Sequence, residues 1–303
     1  MKLDENTEKI QNDRDLTYLE ALIHTGEMLF QENKQSLDFD FEELTKEQIR
    51  KSLQLAILKG MKEAIQPNHV MTPDAVSLFM GYLVNKLTEK NEVIRILDPA
   101  VGSGNLLTAI LNHTTKPVYS FGVEPDETLL KLAYVSANLQ QHKIELFHQD
   151  SLMDILVDPV DIVVGDLPIG YYPNEEVANR YQLKSKEGMS YTHHLMIEQS
   201  LNYAKEGGFL VFLIPNFIFE SDQAKQLHSF IKEHAHIYSL LQLPTSMFKE
   251  KKHEKSIFIL RKKGEGIKAP SQALLAELPT FSNKQALGEM VTSINNWIEL
   301  NIK

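Results

Sequence analysis

The chain of 303 residues has no cysteine. That excludes disulfides and thiolate metal sites, and it suits a reducing compartment, so a cytoplasmic location is expected. Long hydrophobic runs are also missing. A stretch such as FLVFLIP at 209–215 falls far short of the roughly 20 apolar residues that a membrane helix needs. The opening MKLDENTEKIQNDRD is polar and acidic, unlike a secretory signal. Positive charge is scarce as well: 31 Lys and Arg stand against 41 Asp and Glu, a net of −10. A stand-alone binder of nucleic acid usually presents a basic face. The deficit is uneven. Residues 1–43 carry 12 acids and 4 Lys/Arg, whereas residues 249–268 carry 8 Lys/Arg and 3 acids. The basic stretch reads either as a solvated strand–turn region or as a local patch for a polyanion.

What is present begins as helix. In TKEQIRKSLQLAILKGMKEAI (45–65), Thr45 and Gln48 have the spacing of a capping box. Ile49, Leu53, Ile57 and Met61 recur at four-residue steps, a stripe that must bury against something. Without a Gly/Ser linker behind it, the region 1–65 is expected to be a docked helical extension, with a second domain over 66–303. From there, short β-branched runs alternate with helical stretches. The runs lie at 93–98, 118–124, 144–150, 160–166, 208–215, 237–243 and 255–262. Such alternation implies an α/β fold with a mostly parallel sheet covered by helices. The last two runs are joined by PTSMFKEKKHE, too short for a crossover helix, so the final strand is expected to be antiparallel. Seven strands with a reversed last one is the plan of class I methyltransferases, which use S-adenosylmethionine (SAM). The tail from about 283 reads as a closing helix.

ILDPAVGSGNLL (96–107) follows the first strand and opens a helix. Gly102 and Gly104 allow a sharp turn and a close backbone approach to a ligand. The third glycine of the dinucleotide fingerprint is replaced by Leu107, which disfavours a pyrophosphate. Asp98, at the tip of the strand, suits a cationic amino group instead. Glu124 closes the second run and can accept from two ribose hydroxyls. Asp150 closes the third and can accept from an adenine amino group. Acids at three successive strand ends, together with the glycine loop, point to a nucleoside cofactor with a positive charge.

These residues resemble an N6-adenine DNA methyltransferase of the type found as modification subunits in type I restriction systems, over roughly residues 66–262. DPAVGSGNLL is similar to the family's glycine-loop motif. HVMTPDAVSLFM (69–80) resembles the segment before it. There Thr72 is expected as helix N-cap and Pro73 as first helical residue, facing the cofactor's methionine end. GGFLVFLIPNFIF (207–219) and LPTSMF (243–248) resemble segments that follow the catalytic motif. The resemblance implies SAM as cofactor, held by Thr72, Pro73, Asp98, Ala100, Gly102 and Gly104. Asn105, Glu124, Asp150 and Ser151 are expected to join them.

The family's catalytic motif, Asn/Asp-Pro-Pro-Tyr/Phe, is represented by Asp166, Leu167, Pro168 and Ile169, then Gly170. An adenine amino group is a poor nucleophile, since its lone pair is shared with the ring. The Asp166 side chain and the Leu167 carbonyl can accept its two hydrogens and raise electron density on nitrogen. Ile169 cannot stack on a flipped base as an aromatic residue would. Tyr171 is the expected replacement, with Tyr172 the alternative, and the segment 171–191 is long enough to form a lid. A SAM-binding interaction protein that has lost the activity remains open, as does transfer to RNA or to a protein glutamine. DNA is the expected substrate, weakly held by this chain alone, with target recognition supplied by a protein partner. No metal site is expected: His193–His194, His69 and His148 lack spaced carboxylate partners.

Overall fold

The computed structural model describes residues 2–30, 41, 43–63 and 71–302. The expected boundary at 65–66 and His69 lie outside the described residues. In chain order the elements are α1 (Lys2–Arg14), α2 (Tyr18–Phe30), α3 (Lys46–Glu63), α4 (Asp74–Leu87), β1 (Ile94–Asp98), α5 (Asn105–His113), β2 (Val118–Val123), α6 (Glu127–Leu139), β3 (Ile144–Phe147), β4 (Val160–Asp166), α7 (Glu175–Ala178), α8 (Thr192–Tyr203), β5 (Ala204–Pro215), α9 (Ala224–His234), β6 (Ala235–Gln242), β7 (Lys255–Lys262), β8 (Leu274–Glu277) and α10 (Lys284–Asn301). The strands form one mixed sheet in the order β3-β2-β1-β4-β5-β7-β6-β8. Two compact units make up the chain. The first is Met1–Gly81, Val101–Thr115 and Tyr119–Asp150; the second is Tyr82–Ala100, Lys116–Val118 and Ser151–Lys303.

In the first unit, the capping box of α3 is reciprocal. Thr45 N–H donates to Gln48 Oε1 (2.9 Å), and Gln48 N–H donates to Thr45 Oγ1 (3.3 Å). The stripe Ile49, Leu53 and Ile57 is buried, with Met61 packed at its edge. It shares one core with Tyr18, Leu22 and Leu29 of α2 and with Leu129, Leu132, Val135 and Leu139 of α6. A side chain at Gly26 would come within 2.2 Å of Val135, so the close approach of α2 to α6 depends on that glycine. The N-terminal helices therefore cover a face of α6, and burying that face stabilises both partners at about 25 cal/mol per Å² of apolar area.

The second unit holds β1 and β4 to β8. β1 runs parallel to β4 (Ile96↔Ile162), and β4 runs parallel to β5. β7 inserts antiparallel between β5 and β6, as the short connection requires. Among the described residues the sheet has eight strands where the sequence leads one to expect seven. The eighth, LLAE, has no β-branched residue and spans four positions, so local pattern does not mark it. Pairing supplies it: β8 lies parallel to β6, with Ser239 Oγ donating to the Leu274 carbonyl (2.9 Å). The closing helix α10 starts behind Asn283, whose side chain caps Ala286 N–H.

Among the described residues, no helix is long and apolar enough to cross a membrane, and no three His, Asp or Glu side chains are grouped to hold a metal ion.

Candidate active site

The first unit carries the glycine loop. Gly102 (φ 54°) and Gly104 (φ 80°) both adopt left-handed backbone, which other residues enter only at a cost. Gly104 directly precedes α5, and a side chain there would press on Ala133 of α6 at 3.3 Å. A side chain at Gly102 would meet no described atom within 4 Å, so the face of the loop is open to a ligand. Glu124, the residue after β2, is buried. Its two carboxylate oxygens accept from Gly102 N–H and Asp126 N–H, each at 3.0 Å. The carboxylate thus clasps the loop and the start of α6. Asp150 lies three residues beyond the end of β3 and is half-buried, so it sits in the following turn and does not end the strand.

Thr72 is buried. The helix α4 starts at Asp74, and the Pro73 carbonyl accepts from Val76 and Ser77 N–H (both 3.0 Å). Pro73 therefore occupies the N-cap position, and Thr72 stands one residue outside it, because the proline carbonyl already takes the first helical bonds. Asn105, buried at the start of α5, donates from Nδ2 to the Thr72 carbonyl (3.3 Å). The loop helix and the Thr-Pro segment are thereby tied together.

The second unit brings two acids to the carboxyl ends of the adjacent parallel strands β1 and β4. Asp98 is 1% exposed, and its Oδ1 accepts from Ala100 N–H (3.0 Å). Asp166 ends β4, and Gly165 before it lies against Asp98, whose Oδ1 would be in ordinary contact, at 3.4 Å, with a side chain at that position. Ser151 is buried in a turn, with its carbonyl taking Gln199 Nε2 (2.9 Å).

At the corner itself, Leu167 is buried and its N–H donates to the Leu213 carbonyl (3.1 Å), which orients the Asp166–Leu167 peptide. Pro168 is exposed. Asp166 Oδ1 pairs with Lys255 Nζ of β7 at 2.5 Å. The segment 171–191 is anchored at its base by Tyr172 N–H to the Ser190 carbonyl (2.8 Å) and Thr192 N–H to the Gly170 carbonyl (2.9 Å). Glu198 of α8 receives Gln182 and Leu183 N–H (2.9 and 2.8 Å). Tyr172 and Tyr181 are buried, the latter with its hydroxyl on the Leu152 carbonyl (2.6 Å). Tyr171 is 55% exposed and stacks on Tyr191 at 4.8 Å and 18°. The hydrogen bond with Tyr171, followed by burial, pushes the Tyr191 hydroxyl well above its ordinary pKa. Behind this pair lie His193 and His194, both fully buried. Burial pulls His193 down to about 3, helped by His194 and opposed by the Pro168 carbonyl; burial pulls His194 down to about 4. Both rings are neutral near pH 7.

Three residues here carry no local signal: Arg50 on Asn105, Lys255 on Asp166, and Tyr191 under Tyr171. Their partners are far away in sequence. The aromatic-rich stretch YTHH was the one available hint, since it begins at Tyr191, the last residue of the lid segment.

The family model for N-6 DNA Methylase matches residues 60–287, and that for the YtxK N-terminal helical domain matches residues 1–61. The chain is 48% identical to a Bacillus subtilis (strain 168) protein named "Uncharacterized protein YtxK", over 98% of this chain and 95% of that one. It is 41% identical to a Listeria monocytogenes protein of known structure, described as a candidate class I SAM-dependent methyltransferase. That likeness has a TM-score of 0.90 and covers 97% and 96% of the two chains. A type I restriction-modification methyltransferase subunit from Streptococcus thermophilus shares the fold, at 13% identity and a TM-score of 0.68, over 97% of this chain and 74% of that one. With the family model matched over residues 60–287, most of its length, the chain belongs to the N-6 DNA Methylase family.

Proposed function

We propose that the chain is a SAM-dependent methyltransferase acting on an exocyclic amino group, with DNA as substrate and a protein partner supplying target recognition. The observation that carries this reading is the Glu124 clasp on an open, left-handed glycine loop. The donor set fits the cofactor: Glu124 for the ribose, Asp150 and Ser151 for the adenine, and Asp98 for the amino group. Thr72, Pro73, Ala100, Gly102, Gly104 and Asn105 shape the methionine end. When bound, SAM supplies a methyl group on a sulfonium. The chain's own work is to accept the two amino hydrogens at Asp166 and at the Leu167 carbonyl, next to the Leu167 N–H that Leu213 holds. Pro168 keeps the turn rigid. Tyr171, braced by Tyr191, offers the stacking face that Ile169 lacks.

Of the two candidate stacking residues, burial favours Tyr171 over Tyr172. Tyr171→Ala should cut methyl transfer about tenfold to a hundredfold, the cost of a stacking contact worth ~1–3 kcal/mol, with SAM affinity intact. Tyr172→Ala should instead destabilise the fold by about 3–5 kcal/mol through a core cavity. Radiolabelled transfer and thermal melts separate the two. A Tyr171 variant with full turnover would remove the stacking role.

The isolated chain should hold duplex DNA only non-specifically, in the micromolar range or weaker. Much of the basic stretch is already engaged within the protein: Lys255 by Asp166, Lys252 by Glu250, and Lys262 by the Ala204 carbonyl. Arg261 is taken by the Gly207 carbonyl and the Phe209 ring. A salt-titrated binding assay tests this, and nanomolar sequence-specific binding by the chain alone would overturn it.

A second reading, a SAM-binding protein without transferase activity, is favoured by one observation. The Lys255 ammonium occupies an acceptor atom of Asp166, beside the place where positive charge would develop. Labelled SAM offered with DNA, RNA and protein pools decides between the two. Transfer that disappears in Asp166→Ala supports the first reading, and background transfer alongside firm SAM binding supports the second.

A further inference from the structure

Arg50 lies on α3, inside the segment that matches the N-terminal helical domain and outside the one that matches the methylase. Its side chain is 1% exposed, as buried as the apolar core around it. A buried guanidinium needs every donor engaged and its charge balanced. Here Nε and Nη2 donate to the two carboxylate oxygens of Glu47 (2.8 and 2.6 Å), one turn earlier on α3. Nη2 also reaches Asp74 Oδ1, in the first turn of α4. Nη1 donates to Asn105 Oδ1 (2.7 Å), at the start of α5. The other end of that amide holds the Thr72 carbonyl. One rigid fork therefore joins three helices, and two of them begin at the segments assigned above to the methionine end of the cofactor. Glu47 extends the network backward, since it also accepts from Asn112 Nδ2 (3.1 Å), whose Oδ1 meets His142 Nε2 (2.6 Å).

The arrangement is unlike ordinary helix docking. Helix α3 already buries an apolar stripe against α2 and α6, which needs no arginine. The polar fork adds direction: it sets where Asn105 points and how far Thr72 stands from the glycine loop. We propose that Arg50 is a positioning residue for the cofactor, by which the N-terminal helical segment holds Asn105 and the Thr72–Asp74 turn in their binding arrangement. The inference rests on the SAM reading above. It makes the extension part of the binding site. A lysine could not replace the fork, because an ammonium on a flexible stem cannot address two carboxylates and an amide in one plane.

Calorimetry on the full chain tests this with two ligands, SAM and 5′-deoxy-5′-methylthioadenosine, which lacks the amino-acid tail. Arg50→Lys should weaken SAM about tenfold or more, the effect of one misdirected buried polar contact. The tail-less nucleoside should bind within about twofold of wild type, since the Glu124 side is untouched. Asp74→Asn, at a half-exposed position, should shift SAM in the same direction with less risk to folding, and thermal melts report on that risk. If both variants are folded and bind SAM as wild type does, Arg50 has no positioning role. Equal loss of both ligands would mark a structural role only and also overturn the proposal. Should Arg50→Lys fail to fold, Asp74→Asn decides. Wild type that binds no SAM at all would sink the cofactor reading itself, a distinct result from the other two.

Discussion

Replacing Glu124 by alanine should weaken SAM binding by about 3 kcal/mol, somewhat more than a hundredfold. Two losses combine. The ribose hydroxyls lose their acceptor, and Gly102 N–H loses the carboxylate that holds it at 3.0 Å in a left-handed turn. Glutamine should not restore binding. Both oxygens of Glu124 accept from backbone N–H groups, of Gly102 and of Asp126, so an amide NH₂ on either side would set donor against donor. Aspartate, shorter by one methylene, cannot span both N–H groups and should fall near alanine. Calorimetry with SAM on the three variants checks the order. Affinity in Glu124→Ala equal to wild type would remove both the ribose assignment and the clasp.

The protein should be sharply less stable at pH 5 than at pH 7.5. His193 and His194 are held near 3 and 4 by burial, and His142 near 4 by burial and then by Lys46. In the unfolded chain each titrates near 6.5. Folded values below unfolded ones mean that the unfolded state takes up protons first, so the contribution is complete above about pH 6.5 and drains away as pH falls toward 4. At pH 5 each histidine costs about 2 kcal/mol, and the three together about 6 kcal/mol, set against a typical domain stability of 5–15 kcal/mol. Thermal melts across this range should show the decline. Leucine at positions 193 and 194 should flatten the slope by about two thirds, since two of the three groups are removed. A melting temperature that stays level from pH 7.5 to 5 would contradict the buried, neutral state of these rings. Because His193 and His194 back the Tyr171–Tyr191 stack, loss of the stack should accompany loss of stability on the acid side.

Much of the architecture was legible from local pattern. Each of the seven β-branched runs became a strand, and the short joint after β6 forced β7 to turn back. The Thr45–Gln48 spacing became a reciprocal cap, and the four-residue stripe of α3 became core. These signals are readable because they act between neighbours in sequence: a cap joins residues three apart, and a stripe repeats each turn. The glycine loop was equally open to reading, since left-handed backbone at Gly102 and Gly104 is a property of the residues themselves.

The sequence by itself determined the α/β class, the helical start, the glycine loop and the acids at the ends of the first two strands, Asp98 and Glu124, because composition and periodicity act over a few residues. Tertiary structure alone decided the rest. It chose Tyr171 over Tyr172 as the exposed ring, since burial depends on how the segment 171–191 closes on Ser190 and Thr192. It added β8, a four-residue strand that exists only through its pairing with β6. It put Lys255 on Asp166 across 89 residues and Arg50 on Asn105 across 55. Pairs that distant leave no mark in a local window: Lys255 and Arg50 read as ordinary polar residues until the chain has folded and removed the water between them and their partners.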